Sequence, residues 1–266
     1  MYSKREIYPN APLALVVAQV KYAYAPRLRQ RDTLDQVALA LEQDLPVVNY
    51  DQSLNISLTS GQFEGHAELA QRHLNRESTT SVHVTPTALT LETTAYVEFG
   101  EFADLFSRAC AALADAGAVH AVERIGLRYV DEVRVPDQIS DARDWRGWVA
   151  DELVAHLSVA SQAKALGSEA LVQYDLGDQI RLAFRFGARD GKPVVGSQLL
   201  RRPVQYEPGP FFVIDLDGFR QQPADEGAVF DVEWIRAMLE TVHGPAGEAF
   251  QNSITDQSRA VFREER

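Results

Sequence analysis

Two spacings of apolar residues alternate along the chain and predict its elements. In ERIGLRYVDEVRV at 123–135, Ile125, Leu127 and Tyr129 share one side, while Arg124, Gly126 and Arg128 share the other. A period of two marks a strand with one buried face. Gly126, set between two arginines, is expected to leave a gap where a backbone or ligand approaches closely. Leu13 to Tyr24 is apolar at first and then alternates, which predicts a long strand, central at its start. Helical spacing appears at Leu34, Val37, Ala38 and Leu41, capped by Asp32 or Thr33. It recurs at Phe102, Leu105, Phe106, Ala109 and Leu113, closed by Gly117. Trp145, Trp148, Val149, Leu153 and Leu157 predict a helix capped by Asp144, and Val232, Ile235, Leu239 and Val242 one capped by Asp231. Gly244 and Pro245 are expected to break that helix ahead of a separate one from Glu248 to Arg263.

Between the helices lie runs that read as strands: 54–58, 69–76, 81–85 and 88–94, then 169–175, 179–187, 193–202 and 210–217. TPTA at 85–88, LGD at 176–178 and RDGK at 189–192 read as tight turns. Each half thus contains a helix, four strands and a helix. The fold class predicted is α+β, with two helix-covered, mainly antiparallel sheets and an internal duplication. Pro136 to Asp144 is the best boundary, giving an N-terminal half at 1–138 and a C-terminal half at 139–266.

Charge narrows the function. The 266 residues carry a formal net charge of −12. A broad nucleic-acid surface needs clustered Lys and Arg, so nucleic acid is not the expected partner; a basic protein is. The single cysteine, Cys110, allows no internal disulfide and sits at core spacing. The first residues, MYSKREIYPNAP, lack an apolar signal core, and no apolar run reaches a membrane span of roughly 20 residues. The expectation is a cytoplasmic protein with no membrane partner.

Candidate chemistry is sparse. Arg124 and Arg128 share a strand face about 13 Å apart and could hold an anion or a partner's carboxylates; the plain reading is cross-strand pairing with Glu92, Glu132 or another acid. Asp215 and Asp217 also share a face and could hold Mg²⁺, although no phosphate-binding loop accompanies them and an acidic strand end is the plain reading. The six histidines show no tight pair, so no zinc site is expected. His243 reads as the end of a helix, where an imidazolium suits the dipole. Trp145, Trp148, Trp234, Phe211 and Phe212 read first as core and second as a contact patch, such as a homodimer would bury. No cofactor motif is present.

YPNAPLALVVAQVKY at 8–22, ERIGLRYVDEV at 123–133, and His243 with FQNSIT at 250–255 together resemble a sporadically distributed bacterial family of about this length with no assigned function. The resemblance spans nearly the whole chain. It implies an asparagine at position 131, where this chain has Asp131, and a bacterial accessory or defence-linked role. The expectation is a non-enzymatic binding protein with a protein partner, such as an immunity protein or antitoxin. Arg124, Arg128, Asp131 and His243 are its candidate binding residues. The alternative is a metal-dependent enzyme acting on nucleotides or phosphate esters through Asp215 and Asp217.

Overall fold

The computed structural model describes residues 6–59, 62–194, 199–223 and 227–264, with the backbone alone for 51–69. The strands in chain order are β1 (Leu13–Tyr22), β2 (Val47–Thr59), β3 (Gln62–Leu74), β4 (Thr80–Thr85), β5 (Ala88–Thr93), β6 (Ala121–Val133), β7 (Ala170–Gly177), β8 (Ile180–Gly191), β9 (Gly209–Gln221) and β10 (Ala228–Val229). The helices are α1 (Arg31–Leu41), α2 (Phe99–Asp115), α3 (Val232–Ser253) and α4 (Asp256–Arg263). The α+β class and the antiparallel pairing are as predicted.

The expected two sheets are instead one. Its order is β2-β3-β4-β5-β1-β6-β9-β8-β7, with β10 added beside β6. The cause is the pairing of β6 with β9, which runs from Arg124 opposite Gln221 to Val133 opposite Phe212. These two long strands, each apolar on the helix-covered face, join the halves 1–138 and 139–266 into a continuous layer, and β1 pairs with the other edge of β6, from Leu13 opposite Asp131 to Tyr22 opposite Val122. The helices cover one face. There Val16, Ala18 and Val20 of β1, Ile125 and Leu127 of β6, and Ile214 and Leu216 of β9 form the main core with Phe106 of α2 and Leu239 of α3. A smaller cluster, Leu15, Leu74, Val130 and Leu200, lies on the opposite face under the connection between β8 and β9.

Several local expectations change. α1 starts at Arg31 with Gln30 at its cap position, not at Asp32 or Thr33. The segment after the boundary forms three short 3₁₀ turns, at Ala142–Trp145, Asp151–Leu153 and Ala155–Ser158, rather than one helix. Asp141 is the cap there, accepting from the Arg143 amide, and Asp144 reaches back to the Asp141 amide at 2.8 Å. Gly147, at φ +88°, interrupts the turn in a conformation an α-helix excludes. Trp145, Trp148, Phe211 and Phe212 are buried and Trp234 packs partly buried against the core, so these rings form no exposed contact patch. Of 193–202, residues 195–198 lie outside the described residues and the others are not in a strand; RDGK is the end of β8, not a hairpin turn. α3 continues through Gly244 and Pro245, because its apolar stripe of Ile235, Leu239, Val242 and Ala246 stays packed on the sheet across the proline. His243 is therefore mid-helix and caps nothing.

Other signals read correctly. Gly117 follows α2 at φ +58°, and Asp231 accepts the Trp234 amide at 2.7 Å. Asp178 and Gln179 both take positive φ between β7 and β8, the geometry of a tight primed turn. Cys110 is buried and its thiol pushed far up by that burial. Among the described residues no helix is long and apolar enough to cross a membrane. The outer edge of the sheet, β7, is exposed along nearly its whole length, including Leu171, Val172, Tyr174 and Leu176.

Leu127 is fully buried at the centre of this layer. Leu127→Ala is expected to lower the unfolding free energy by about 2–5 kcal/mol in urea denaturation. A loss under about 1 kcal/mol would contradict its place in the core.

Candidate functional site

β6 carries the decisive side chains, and its pleat deals them to two faces. Arg124, Arg128, Val130 and Glu132 point away from the helices; Ile125, Leu127, Tyr129 and Asp131 point toward them.

On the face away from the helices, the two candidate sets from the sequence hold each other. Arg128 donates from Nε and Nη2 to the two oxygens of Asp215, both at 2.7 Å. Arg124 donates from Nη2 to Asp217 at 3.2 Å, and its guanidinium lies over the Phe219 ring, 4.6 Å from the centroid. β9 runs beside β6 with Asp217 opposite Arg128, so cross-strand neighbours supply the partners. The plain expectation of cross-strand pairing thus describes both arginines, with Asp215 and Asp217 as the acids. The gap expected at Gly126 is filled by the chain itself, since a Cβ there would meet Arg124 Nη1 at 2.9 Å. Among the described residues no three His, Cys, Asp or Glu side chains gather as a metal-ligand set.

Further along the same face, Glu132 is buried and fully engaged. Arg134 Nε donates to it at 2.6 Å, Arg202 Nη1 at 2.7 Å and the Val194 amide at 2.9 Å. Arg134 and Arg202 both lie against the Tyr206 ring. These bonds tie the connection between β8 and β9 to the sheet.

Asp131, the next residue on the other face, is equally buried, at 4% exposure, yet makes no hydrogen bond or ion pair with any described residue. Burial holds its carboxyl well above the usual carboxylate range, and repulsion from Asp215 across the sheet adds to that. Its position follows from a bulge in β1. The register slips between Leu13 and Leu15, and the Glu132 amide instead donates to the Pro12 carbonyl at 2.8 Å. The sheet opens at this end, and Asp131 faces a pocket of about 160 Å³.

The pocket lies between the segment leading into β1, the start of α2, the C-terminal half of α3 and the end of β6. Tyr129 contributes its hydroxyl, which shares a 2.8 Å hydrogen bond with His243 Nδ1. His243 stacks on Phe99, 4.2 Å between centroids and 5° from parallel. Tyr96 meets Tyr129 edge-on at 5.9 Å, and Tyr8 donates to Gln251 Oε1 at 3.1 Å. At the rim, Glu6 is held by Arg263, whose guanidinium keeps its carboxyl below the ordinary range.

Of the four candidate binding residues, Asp131 and His243 come together here, while Arg124 and Arg128 lie on the opposite face. Tyr8, Tyr96 and Phe99 went unmarked in the sequence. Each is an aromatic standing outside a regular core period, just before β1, between β5 and α2, or at the first position of α2, and that position was the available signal. Comparison of the chain with models of known families, with curated proteins and with solved structures gave no match.

Arg128→Ala leaves the Asp215 carboxylate, 6% exposed, with only Arg185 at 4.0 Å among the described residues. It is expected to cost about 1–3 kcal/mol by urea denaturation, the value of a hydrogen-bonded charge. Adding Asp215→Asn should recover part of that loss.

Proposed function

We propose that this chain is a non-enzymatic binding protein whose site is the pocket of Tyr8, Tyr96, Phe99, Tyr129, Asp131 and His243. One observation carries the reading: two adjacent acids of one strand are equally buried, and only one is satisfied. Glu132 has three donors; Asp131 has none among the described residues and faces a void. A buried polar group without a partner is a standing cost to the fold, and one aimed into a pocket is explained by a ligand that completes it. The acidic balance of the chain favours a basic partner and is compatible with an immunity or antitoxin role. A metal-dependent enzyme at Asp215 and Asp217 is the weaker reading, because both acids are engaged by arginines.

The test is thermodynamic. Asp131 has a folded pKa raised above 3.8, so the native state binds more protons than the unfolded one from pH 3.8 upward. Its contribution is therefore least unfavourable below that pH and worsens as pH rises toward and through the folded pKa. Asp131→Asn is expected to stabilise the unliganded protein by about 1–3 kcal/mol at neutral pH, a gain that closes as the pH falls to 3.8. Urea denaturation across that range measures it. If Asp131→Asn destabilises the protein at neutral pH, Asp131 is a structural residue and the binding reading falls.

A further inference from the structure

Resting on the pocket reading above, we infer that the group bound beside Asp131 is an ammonium on an alkyl stem, borne by a free aliphatic amine or by a lysine side chain. Three features of the pocket converge on that chemistry.

The first is charge. The described lining includes three carboxyl groups, Glu6, Glu98 and Asp131, and no lysine or arginine. Glu6 is already held by Arg263, and Glu98 stands exposed at the mouth, making no side-chain bond to the start of α2. Asp131 is the acid of the interior. An anion would meet these carboxylates with only His243 to answer it. A neutral amide or alcohol would be served as well by an asparagine, without the cost of burying an acid.

The second is the wall. Tyr8, Tyr96, Phe99, Tyr129 and Phe250 line the space. Aromatic rings attract an ammonium through their quadrupole, most strongly where water is excluded. They offer nothing to a hard metal ion, which needs several oxygen ligands.

The third is size and shape. The volume of about 160 Å³ is close to that of a protein cavity that accepts benzene, about 150 Å³, so it holds a headgroup and part of a stem but not a large molecule. Beside its two carboxylates the mouth also carries apolar side chains. Ile7 is 66% exposed and Val97 69% exposed, both on the lining, where an alkyl stem leaving the pocket would lie against them.

Entry of the cation draws the proton off Asp131, because an opposite charge favours the ionised form. The groups facing this exchange are Tyr129 on β6, His243 on α3, Glu6 and Tyr8 before β1, Tyr96 and Glu98 before α2, and Asp215 across the sheet. Affinity for the ammonium therefore increases with pH until Asp131 is ionised in the free protein.

The test compares charged probes with neutral isosteres on the full chain by isothermal titration. One pair is n-butylammonium and 1-butanol. The other is a capped Gly-Lys-Gly peptide and its norleucine counterpart. The charged member of at least one pair is expected to bind about tenfold tighter or more, the scale of a cation desolvated against rings and a carboxylate. Asp131→Asn, confirmed folded by circular dichroism, should erase that preference and leave the neutral probes unchanged. Preference in the butylammonium pair assigns a free amine; preference in the peptide pair alone assigns a partner's lysine. Equal or tighter binding of the neutral isosteres overturns the ammonium inference and leaves the pocket reading standing. Absence of saturable binding by either pair also overturns the inference. The pocket reading itself is judged separately, by the stability of Asp131→Asn.

Discussion

The pairing of β1 with β6 is the constraint on which the rest of this protein depends. It places two long strands at the centre of one sheet, so that each needs apolar side chains on the face the helices cover. Every other strand extends outward from that pair, and α2 and α3 find their positions on it. The bulge near Leu13 belongs to the same pairing. It ends the regular ladder one step before Asp131 and Glu132, the two acids on which the functional argument turns. The centre of the fold and the edge of the pocket are consequences of one register.

The contrast between those two acids shows how a fold distributes cost. A strand sends successive side chains to opposite faces, so an Asp-Glu pair in a buried strand must be accommodated twice, in unrelated surroundings. On one face the connection between β8 and β9 brings Arg202 and the Val194 amide to Glu132. On the other face four segments converge without supplying a donor to Asp131 among the described residues. Arg128 and Arg124 complete the picture: the charges that look most functional in the sequence are paired by the fold with acids of the neighbouring strand.

Much of the secondary structure was legible because it rests on local rules. The period of two in β6, the stripes of α1 and α2, the glycine after α2 and the Asp231 cap are all set by residues within a turn or two. What was not legible came from distance. Nothing near β6 says that it will pair with β9 of the other half rather than end a sheet of its own. The tryptophans at 145 and 148 have helical spacing but are held by backbone contacts to the end of α3, including the Ala150 amide on the Ser253 carbonyl. Pro245 is a local stop signal overridden by packing on both sides of it. The pocket was half visible: Asp131 and His243 stood out as odd polar residues, whereas Tyr8, Tyr96 and Phe99 become its walls only when three separated segments meet.

The exposed outer strand has a consequence for how this molecule opens. β7 is bonded to β8 alone, and its other edge presents amide groups to water along a strand with almost no buried side chains. Local stability follows the apolar contacts that must be broken to open a segment. The hairpin of β7 and β8 should accordingly fray from its outer strand inward, with its amides exchanging hydrogen fastest and those of β1 and β6 slowest. The molecule is therefore stiffer along the strand that carries Asp131 than at the β7 margin, three strands away, so that the pocket keeps its shape while that margin breathes.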